Sequence, residues 1–575
     1  MHQISLNDIF SKLIFTMRRN KSNIIIVILL LIVISISYFN NFRFDLTSDK
    51  RFSISQQTKD FLVKVDDEIN ITVYLAGDLN PGFLRLNKAI SEILNEMSVY
   101  SKHAINIKFE NPSKANTEIE RQKKYAELQL SGIEPTMIYE RDKEGKSIQK
   151  IVYPWISANY KNKTINIKLL KNIRGVSGEE NLNISIENLE FEITDGLRRL
   201  TNSSISKIAF IEGHGELNDA ETYDISKSLS RYFQIDRGVL ANDATILNAY
   251  KAIIIAKPTS PFSESDKFII DQYIMHGGSV IWLIDGVKID KENLSKTGLT
   301  PAMSLDLNLT DQLFRYGVRI NPDILLDVQC TSIPINIAPK GTEAQFEPSP
   351  WFYAPLLLTS MKHPISKNIT EIKADFCSSI EFLDENKLLN ASLLLATSDN
   401  THIITTPTTI DLAQTPKTTD KEYFNMQYLP VAVLVEGEFK SNFENRLKPK
   451  EITNSLAFLA KSTKTRQIFI ADGDIIKNET NGIASDSTTL PLGFDRYMNQ
   501  QFGNKEFIQN AVLYLTDEEG WLNLRSRTLQ LRMLNKKAII EDKLFWQILN
   551  FTLPLVLLML LGIVYQNIRK RKYTK

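Results

Sequence analysis

The sequence predicts an α/β body held between two terminal transmembrane helices. Two apolar segments, one near each end of the chain, cover Ile24–Phe39 and Phe545–Tyr565. Between them, short continuous apolar runs alternate with helical patterns of hydrophobic residues, which is typical of a parallel sheet covered on both faces. At 575 residues, the chain is long enough for several domains.

Both apolar segments have the composition of a membrane span. The second is long enough, because a span takes about 20 mostly apolar residues. The first is shorter, so the basic side chains of Arg18, Arg19 and Lys21 would have to extend to the membrane surface. Lys and Arg beside a span favour the cytoplasm, and Arg569–Lys572 follow the second span. We therefore expect an inner-membrane protein with spans at 23–39 and 545–565, cytoplasmic tails at 1–22 and 566–575, and a periplasmic body.

A cleaved signal peptide is the alternative interpretation of the first segment. Ser35-Ile36-Ser37 loosely resembles a small-x-small cleavage site. The apolar run is longer than the usual 7–15 residues and begins unusually deep in the chain. These two features favour an uncleaved helix.

The alternation of strand and helix patterns over residues 55–175 predicts a small α/β domain with a layout similar to that of thioredoxin. It begins with a helix at Gln56–Lys64. A strand at Glu68–Leu75, a helix at Phe83–Tyr100 and a strand at Ala104–Glu110 then form a β-α-β unit. A helix at Thr117–Leu130 precedes a hairpin region, whose expected strands lie at 136–139, 150–155 and 163–170.

Residues 184–480 predict a larger domain with a doubly wound parallel sheet. It opens with a helix at Ile184–Thr201. The expected strands are Lys207–Ile211, Ala252–Ala256, Ser279–Ile284, Ile324–Val328, Ser392–Ala396, Leu429–Val435 and Gln467–Ala471. Residues 371–421 are rich in Thr and Asp and poorly periodic, which indicates an insertion or a long loop. Residues 481–544 complete the body.

Composition excludes several classes of function. The net charge of +1 does not indicate a nucleic-acid surface. The two cysteines, Cys330 and Cys377, lack metal-type spacing, and the six histidines form no H-E-x-x-H motif. We therefore predict no cofactor and no metal, and whether the cysteines pair stays open. No G-x-x-x-x-G-K-[ST] motif occurs, so the chain has no Walker-type site for ATP.

Two pairs of polar residues follow predicted strands and are the candidate site residues. His214 and Glu216 follow Lys207–Ile211, at the edge where open α/β sheets bind ligands. They could act as a general base and its partner, or they could belong to a tight glycine turn that caps the next helix. Asp472 and Asp474 follow Gln467–Ala471 and could hold a cation or form a turn. The turn is the favoured interpretation for both pairs.

Four stretches resemble a known family. They are Lys207–Glu216, Phe262–Asp285, Ile468–Asn478 and Pro491–Leu534. They are similar to the gliding-motility-associated ABC transporter component GldG and to the ABC transporter auxiliary family around it. The resemblance implies an envelope protein that works with a separate permease and a separate ATPase. It also implies that the larger domain is similar to a class I glutamine-amidotransferase-like fold without its catalytic residues.

Three functions therefore compete. The favoured one is a non-enzymatic accessory subunit of an ABC transporter, described in the family as substrate-binding and linked to gliding motility. Its partners would be the permease, the ATPase and membrane lipids, with no nucleic acid. The alternatives are a structural envelope tether without a ligand and a membrane-anchored hydrolase that uses His214 and Glu216. An apolar pocket of ligand size would count against the tether.

Overall fold

The structure of the protein is a computed structural model. It describes residues 53–114, 117–141, 147–173, 176–202, 205–338, 342–383, 388–412, 420–454, 456–481, 488–526 and 542–574. The predicted first span and the tail that precedes it lie outside the described residues. The body and the C-terminal unit that begins at Arg527 are two separate units, and each is described by itself.

The first module of the body contains a four-stranded sheet with helices packed on it. Its elements are α1 (Gln56–Lys64), β1 (Ile69–Val73), α2 (Pro81–Tyr100), β2 (Ile105–Phe109), α3 (Glu118–Leu130), β3 (Thr136–Arg141), β4 (Ser147–Val152), β5 (Trp155–Tyr160), β6 (Lys163–Lys168) and α4 (Gly178–Thr201). The sheet order is β2-β1-β5-β6. β1 runs parallel to β2, while β5 runs antiparallel to both β1 and β6. The hairpin β3–β4 pairs separately.

One strand of this sheet differs from the sequence prediction. The strand expected at 150–155 spans the junction between β4 and β5, where Pro154 lies. No strand was expected at Trp155–Tyr160, yet β5 is a central strand with Ile156 and Ala158 fully buried. The residues that alternate with them, Ser157 and Asn159, do not favour strands, so the local sequence pattern gave only a weak indication of β5.

Helix α4 connects the two modules of the body. Leu189, Ile193 and Leu197 are fully buried in the core of the first module. Gly196 lets the helix approach β6 closely, because a Cβ there would lie 2.3 Å from Ile167 Cδ1. Phe191, on the same helix, belongs to the core of the second module. The helix is therefore shared by both cores.

The second module is built on a large mixed sheet. Its strands are β7 (Ser206–Ile211), β8 (Phe233–Gly238), β9 (Tyr250–Ala256), β10 (Ser279–Leu283), β11 (Val287–Ile289), β12 (Leu299–Ser304), β13 (Val318–Ile320), β14 (Asp323–Asp327), β15 (Cys330–Asn336), β16 (Phe346–Thr359), β17 (Ile372–Lys373), β18 (Ile380–Phe382), β19 (Leu389–Ala396), β20 (Thr401–Thr405), β21 (Thr408–Asp411), β22 (Pro430–Gly437), β23 (Thr465–Ile470), β24 (Thr480–Asn481), β25 (Thr488–Thr489), β26 (Phe494–Asp495) and β27 (Gln500–Gln501). The large sheet has ten strands in the order β15-β16-β19-β22-β23-β10-β9-β7-β8, with β17 paired to β16. Smaller sheets pair β11-β12-β21, β13-β18, β14-β20, β24-β25 and β26-β27.

Apolar cores cover both faces of the parallel half of this sheet, as the continuous apolar runs predicted. The helices of the second module are α5 (Tyr223–Leu229), α6 (Glu264–Met275), α7 (Lys291–Thr297), α8 (Thr310–Arg315) and α9 (Asn504–Thr516). Alternate strand residues enter different cores. Ile281 packs in the core that contains Phe507 of α9. Trp282 packs in the core that contains Ile274 of α6.

The prediction of a wholly parallel sheet is wrong for the other half. β8, β7, β9, β10 and β23 are parallel neighbours, but β22, β19 and β16 continue the sheet in antiparallel pairs. The segment expected as a parallel strand at Ile324–Val328 forms β14, which pairs antiparallel with β20 outside the main sheet. Ile324 and Leu326 enter a separate core. A run of apolar residues predicts that a segment is buried, but it does not predict which strand the segment pairs with.

The expected insertion at 371–421 also differs from the structure, because it contains β19, a strand of the main sheet. Only the end of β19 at Leu394–Ala396 is buried. The beginning of the strand is largely exposed and lacks a hydrophobic pattern, so the sequence predicted only its end, at Ser392–Ala396.

The C-terminal unit contains one helix in its described part, α10 (Lys543–Tyr573), with Pro554 inside it. Its residues Lys543–Arg571 are long and apolar enough to cross a membrane by length and composition. No other helix in the described ranges meets this criterion. The predicted C-terminal apolar helix is therefore confirmed as a helix.

Candidate functional site

The carboxyl ends of the parallel strands place both candidate residue pairs at one edge of the sheet. β7 lies between β8 and β9, so the chain leaves β7 on one side and returns on the other. Such a switch point is where open α/β sheets bind ligands. His214 and Glu216 follow β7, and Asp472 and Asp474 follow β23. The structure brings the members of each pair together, but it places the two pairs in separate polar clusters.

His214 is enclosed by carboxylates. Its Nδ1 lies 3.0 Å from Glu216 Oε1, and its Nε2 lies 3.2 Å from Asp266 Oδ2 at the start of α6. The ring stacks on Phe262 with 3.6 Å between centroids. Ser263 caps α6 and also donates its hydroxyl to Asp266, at 2.6 Å. The imidazole therefore joins the loop after β7 to the first turn of α6.

The pKa of His214 is shifted in the direction opposite to that expected from burial. Burial disfavours the charged ring, but hydrogen bonds to Asp266 and Glu216 outweigh that effect and raise the pKa to about 9. At neutral pH the ring is an imidazolium that donates from both nitrogens. A general base needs a free nitrogen lone pair, so this geometry does not support His214 in that role.

The loops after β7 and β9 fill the switch-point crevice themselves. The backbone N–H groups of Thr259 and Ser260 donate to the His214 carbonyl at 2.8 and 2.9 Å. Gly215 has φ +74°, and a Cβ there would lie 2.1 Å from Thr259 Oγ1. These two backbone amide groups are therefore satisfied within the chain and are not free to bind a ligand.

The second cluster consists of charged residues around Asp474. Its Oδ2 lies 2.5 Å from Lys257 Nζ and 2.6 Å from Lys291 Nζ. Lys257 also contacts Asp285 Oδ2 at 3.2 Å, and Lys291 contacts Asp375 Oδ2 at 2.5 Å. Two lysines are thus surrounded by aspartates from the ends of different strands.

Asp472 has a different role from its neighbour. It is fully buried, and it accepts from the backbone N–H groups of Asp474 at 2.7 Å and Asp375 at 2.8 Å. Burial raises the pKa of Asp472 well above its ordinary value. Burial also acts to raise the pKa of Asp474, but Lys291 and Lys257 outweigh it and hold that pKa below the ordinary value.

This cluster uses lysine ammonium groups where a metal would supply positive charge. A cavity of about 150 Å³ adjoins Lys257, Asp285 and Asp474. Within the ranges that the structure describes, no group of three His, Cys, Asp or Glu residues has an arrangement that could hold a metal ion. The two cysteines are free thiols, and Cys377 is fully buried.

Sequence reasoning missed four members of this cluster. Lys257 directly follows β9, and one residue separates Asp285 from the end of β10. Their positions at the ends of apolar strands were a usable signal. Lys291 is the first residue of α7 and Asp375 follows β17, and only tertiary packing brings these two side chains to the edge of the sheet.

A third feature, the inter-module cleft, has the dimensions of a ligand site. It has a volume of about 450 Å³, within the range of about 300–1,000 Å³ that is typical of small-molecule pockets. The first module contributes Lys171, Asn172, Ile173, Ile184 and Asn188. The second module contributes Lys367, Asn368, Ile369, Thr370, Leu490, Pro491, Phe494, Gln501, Phe502, Gly503 and Glu506.

The exposed wall of the inter-module cleft is mostly apolar, and carboxamides and charged side chains stand among the apolar ones. Ile184, Ile369 and Phe494 are partly exposed to the space. The Asn188 amide donates to the Ile184 carbonyl at 2.8 Å, and the Gln501 amide donates to the Leu492 carbonyl. An apolar cavity with a few fixed polar groups is the usual composition of a small-molecule site. The lining comes from distant parts of the chain, so the sequence gave no signal for it.

Comparison with known proteins identifies the family. The profile described as "ABC-type uncharacterized transport system" matches residues 206–511, more than half of the chain. The chain belongs to this ABC transporter auxiliary family. A second profile, described only as a domain of unknown function, matches residues 48–159. The family membership indicates an accessory role in transport and association with transporter components.

An uncharacterized protein of Borreliella burgdorferi (strain ATCC 35210 / DSM 4680 / CIP 102532 / B31) is 22% identical over 572 residues, which cover 96% of this chain and 99% of the relative. Among solved structures, the mmIFT52 N-terminal domain is 14% identical, with a TM-score of 0.31 over 54% of this chain and 97% of that one. A catalytic mutant of the GH42 β-galactosidase Gan42B from G. stearothermophilus is 8% identical, with a TM-score of 0.20 over 57% of this chain and 33% of that one. Similarities this low do not establish a shared fold.

Proposed function

We propose that this protein is a non-enzymatic, membrane-anchored accessory subunit of an ABC transporter, with a periplasmic body that binds a small ligand. The inter-module cleft is the observation that carries the proposal. Its size and apolar walls favour a ligand-binding subunit over a tether without a ligand. Both ring nitrogens of His214 are hydrogen-bonded to carboxylates, which favours an accessory subunit over a hydrolase.

Two transmembrane anchors on one side of the body are part of the proposal. Lys64 in α1 and Glu519 form an ion pair of 2.6 Å, so the first helix of the body lies beside the segment that precedes the C-terminal unit. Ser55, at the start of α1, donates its backbone N–H to Glu190 of α4 at 2.6 Å, and the next residue of α4, Phe191, stacks on Trp521. The two ends of the body therefore lie in one region. This arrangement is the one needed for two spans in the same membrane.

The fold assignments of the two modules are also proposals. The order β2-β1-β5-β6, with one parallel pair and two antiparallel pairs, supports a thioredoxin-like layout for the first module. The parallel half of the main sheet supports an amidotransferase-like second module without a nucleophile. The thioredoxin-like layout would supply no redox chemistry here, because no cysteine occurs in the first module.

Energy for transport would come from a separate ATPase through a polytopic permease, since the chain has no Walker motif. Purification of the tagged full chain in mild detergent tests this assignment. We expect the permease and the ATPase to be recovered with it. If the intact chain recovers neither, the transporter assignment is wrong. Exchanging Phe545–Tyr565 for an unrelated apolar helix then shows whether that span makes the contact.

The orientation of the C-terminal tail is tested by cysteine labelling in intact cells. In a Cys330→Ser/Cys377→Ser background, which removes the natural thiols, a membrane-impermeant thiol reagent should label a Leu447→Cys variant, because Leu447 in the body is 95% exposed. It should not label a Thr574→Cys variant, whose new thiol would be cytoplasmic. Labelling of Thr574→Cys from outside would contradict the topology.

The ligand-binding role is tested by filling the inter-module cleft. Asn188→Trp would place an indole in the cleft, and Asn95→Trp is the matched control because Asn95 lies exposed on helix α2. We expect both variants to be recovered with the permease, but only Asn95→Trp to complement a deletion strain. Full complementation by Asn188→Trp would favour the tether. A surface-motility defect in the deletion strain would support the link with gliding.

A further inference from the structure

A basic surface lies where both ends of the body leave it. Glu519 Oε1 contacts Lys64 Nζ at 2.6 Å, and Glu519 Oε2 contacts Arg198 at 3.4 Å. Trp521 stacks on Phe191 of α4 with 5.1 Å between centroids, and the Arg198 guanidinium lies 4.9 Å from the Trp521 ring. The segment that leads to the C-terminal unit is thus fixed to helices α1 and α4.

Beside this junction lies a cleft of about 730 Å³, here called the basal cleft. It is polar, and positive side chains outnumber negative ones along its walls. The basic residues are Lys64, Lys163, Arg198, Arg199 and Arg231, and the acidic residues are Asp66, Asp195 and Glu519. The acidic side chains are already engaged, since Glu519 is shared by two cations and Asp195 contacts Arg199 at 3.1 Å.

Two cations of the basal cleft have no acidic partner within the described residues. Lys163 Nζ donates only to the Asn202 carbonyl, at 3.3 Å. Arg231 is exposed and forms no ion pair with a described residue. These two groups give the cleft its excess positive charge, and both can turn toward an anion from outside.

Exposed apolar side chains accompany this charge. Ile205 lines the basal cleft and is 70% exposed, and Val63, next to Lys64, is 60% exposed. Lys and Arg beside exposed aliphatic side chains form the usual pattern of a surface that rests on a membrane interface.

We propose that the basal cleft binds the phosphate headgroup of an anionic phospholipid in the membrane that anchors the chain. Lys163 and Arg231 would donate to the phosphate oxygens, and Ile205 would contact the acyl boundary. The inference rests on the proposed membrane anchoring, because that places this surface beside the bilayer. Two basic contacts to an anionic surface are weak beside a membrane-spanning helix, so the contact would orient the body without replacing the spans.

The test uses the full chain in nanodiscs of phosphatidylcholine with or without phosphatidylglycerol, and it measures backbone hydrogen exchange around Ile205 and Arg231. We expect phosphatidylglycerol to slow exchange several-fold there in the natural protein. This protection should be lost in Lys163→Gln/Arg231→Gln. It should persist in Lys88→Gln/Lys123→Gln, a control that removes the same charge from exposed positions outside the cleft.

Unchanged exchange on adding phosphatidylglycerol would overturn the inference, as would equal protection in the two double variants. Inorganic phosphate added to phosphatidylcholine nanodiscs is a further arm. If it gives the same protection, the cleft binds free phosphate and the lipid assignment is wrong. Recovery of the permease and ATPase is measured in parallel, so that failure of the lipid inference alone can be distinguished from failure of the proposed function.

Discussion

Lys257 Nζ lies 2.5 Å from Asp474 Oδ2, although these residues follow strands that are not neighbours in the sheet. Strand β10 lies between β9 and β23. Asp285, which follows β10, contacts Lys257 at 3.2 Å and accepts from the Gly473 N–H at 2.6 Å. The ends of three parallel strands are therefore joined by one charge network. We expect this network to stabilise the edge at which open α/β sheets bind ligands.

We predict strong energetic coupling between Lys257 and Asp474. Lys257→Met should lower the free energy of unfolding by about 3 kcal/mol, because it removes the ion-pair partner of Asp285 and leaves Asp474 with Lys291 alone. Asp474→Asn should cost less in the Lys257→Met background than in the natural protein. A double-mutant cycle measured by urea unfolding should give a coupling energy on the order of 1–3 kcal/mol.

The control for this cycle is Lys296 and Glu292, an ion pair on α7 with both side chains more than half exposed. Exposed pairs of this kind typically contribute below about 1 kcal/mol. If the Lys257–Asp474 cycle gave no more coupling than the control, the network would not stabilise the edge of the sheet.

The raised pKa of His214 predicts a loss of stability at alkaline pH. Its partners raise the pKa from 6.5 to about 9, so the folded state binds the proton more tightly than the unfolded state does. The stabilisation is fully present below about pH 6.5 and is lost as the pH rises through about 9. Its size is on the order of 3 kcal/mol. Unfolding free energies measured from pH 6 to 10 should fall more steeply in the natural protein than in His214→Gln. Equal slopes would show that the imidazolium does not stabilise the loop.

A pair of glycine substitutions tests whether the switch-point crevice is closed. Gly215 and Gly132 both have positive φ, at +74° and +79°, but a Cβ at Gly132 would meet nothing within 4 Å. Gly132→Ala should therefore cost only the backbone strain, about 1 kcal/mol. Gly215→Ala should cost about 3 kcal/mol, because it also pushes against Thr259. Equal costs in urea unfolding would mean that the two loops part easily and leave the crevice accessible.

The proximity of Lys64 and Glu519 is open to a direct chemical test. A carbodiimide activates carboxylates and forms an amide with an amine in contact, so it should join these two side chains without a spacer. Mass spectrometry of the digested product should find the cross-linked peptide in the natural protein. The Glu519→Gln variant should lose it. The Glu518→Gln variant should keep it, because Glu518 pairs with Lys251 instead. Absence of the cross-link from the natural protein would contradict the shared exit region of the two chain ends.

The sequence by itself determined the strands β7, β9, β10 and β23 of the parallel half of the sheet, but not its partly exposed edge strand β8. Runs such as Ala252–Ala256 are apolar at every position because both faces are buried, and burial leaves a local pattern. Ser55 and Ser263 cap helices α1 and α6, and such caps are also local signals. The apolar composition of α10 was equally plain from the sequence.

Tertiary structure alone decided which segments pair and which polar groups meet. Ile324–Val328 has the same apolar pattern as a main-sheet strand, yet it pairs elsewhere, because hydrophobicity sets burial and leaves the choice of partner to long-range packing. Asp474 was visible as a strand-end carboxylate, but its second lysine, Lys291, comes from a distant segment. The inter-module cleft has the same origin: its walls come from residues far apart in the chain, and they form a cavity only because α4 packs into both cores.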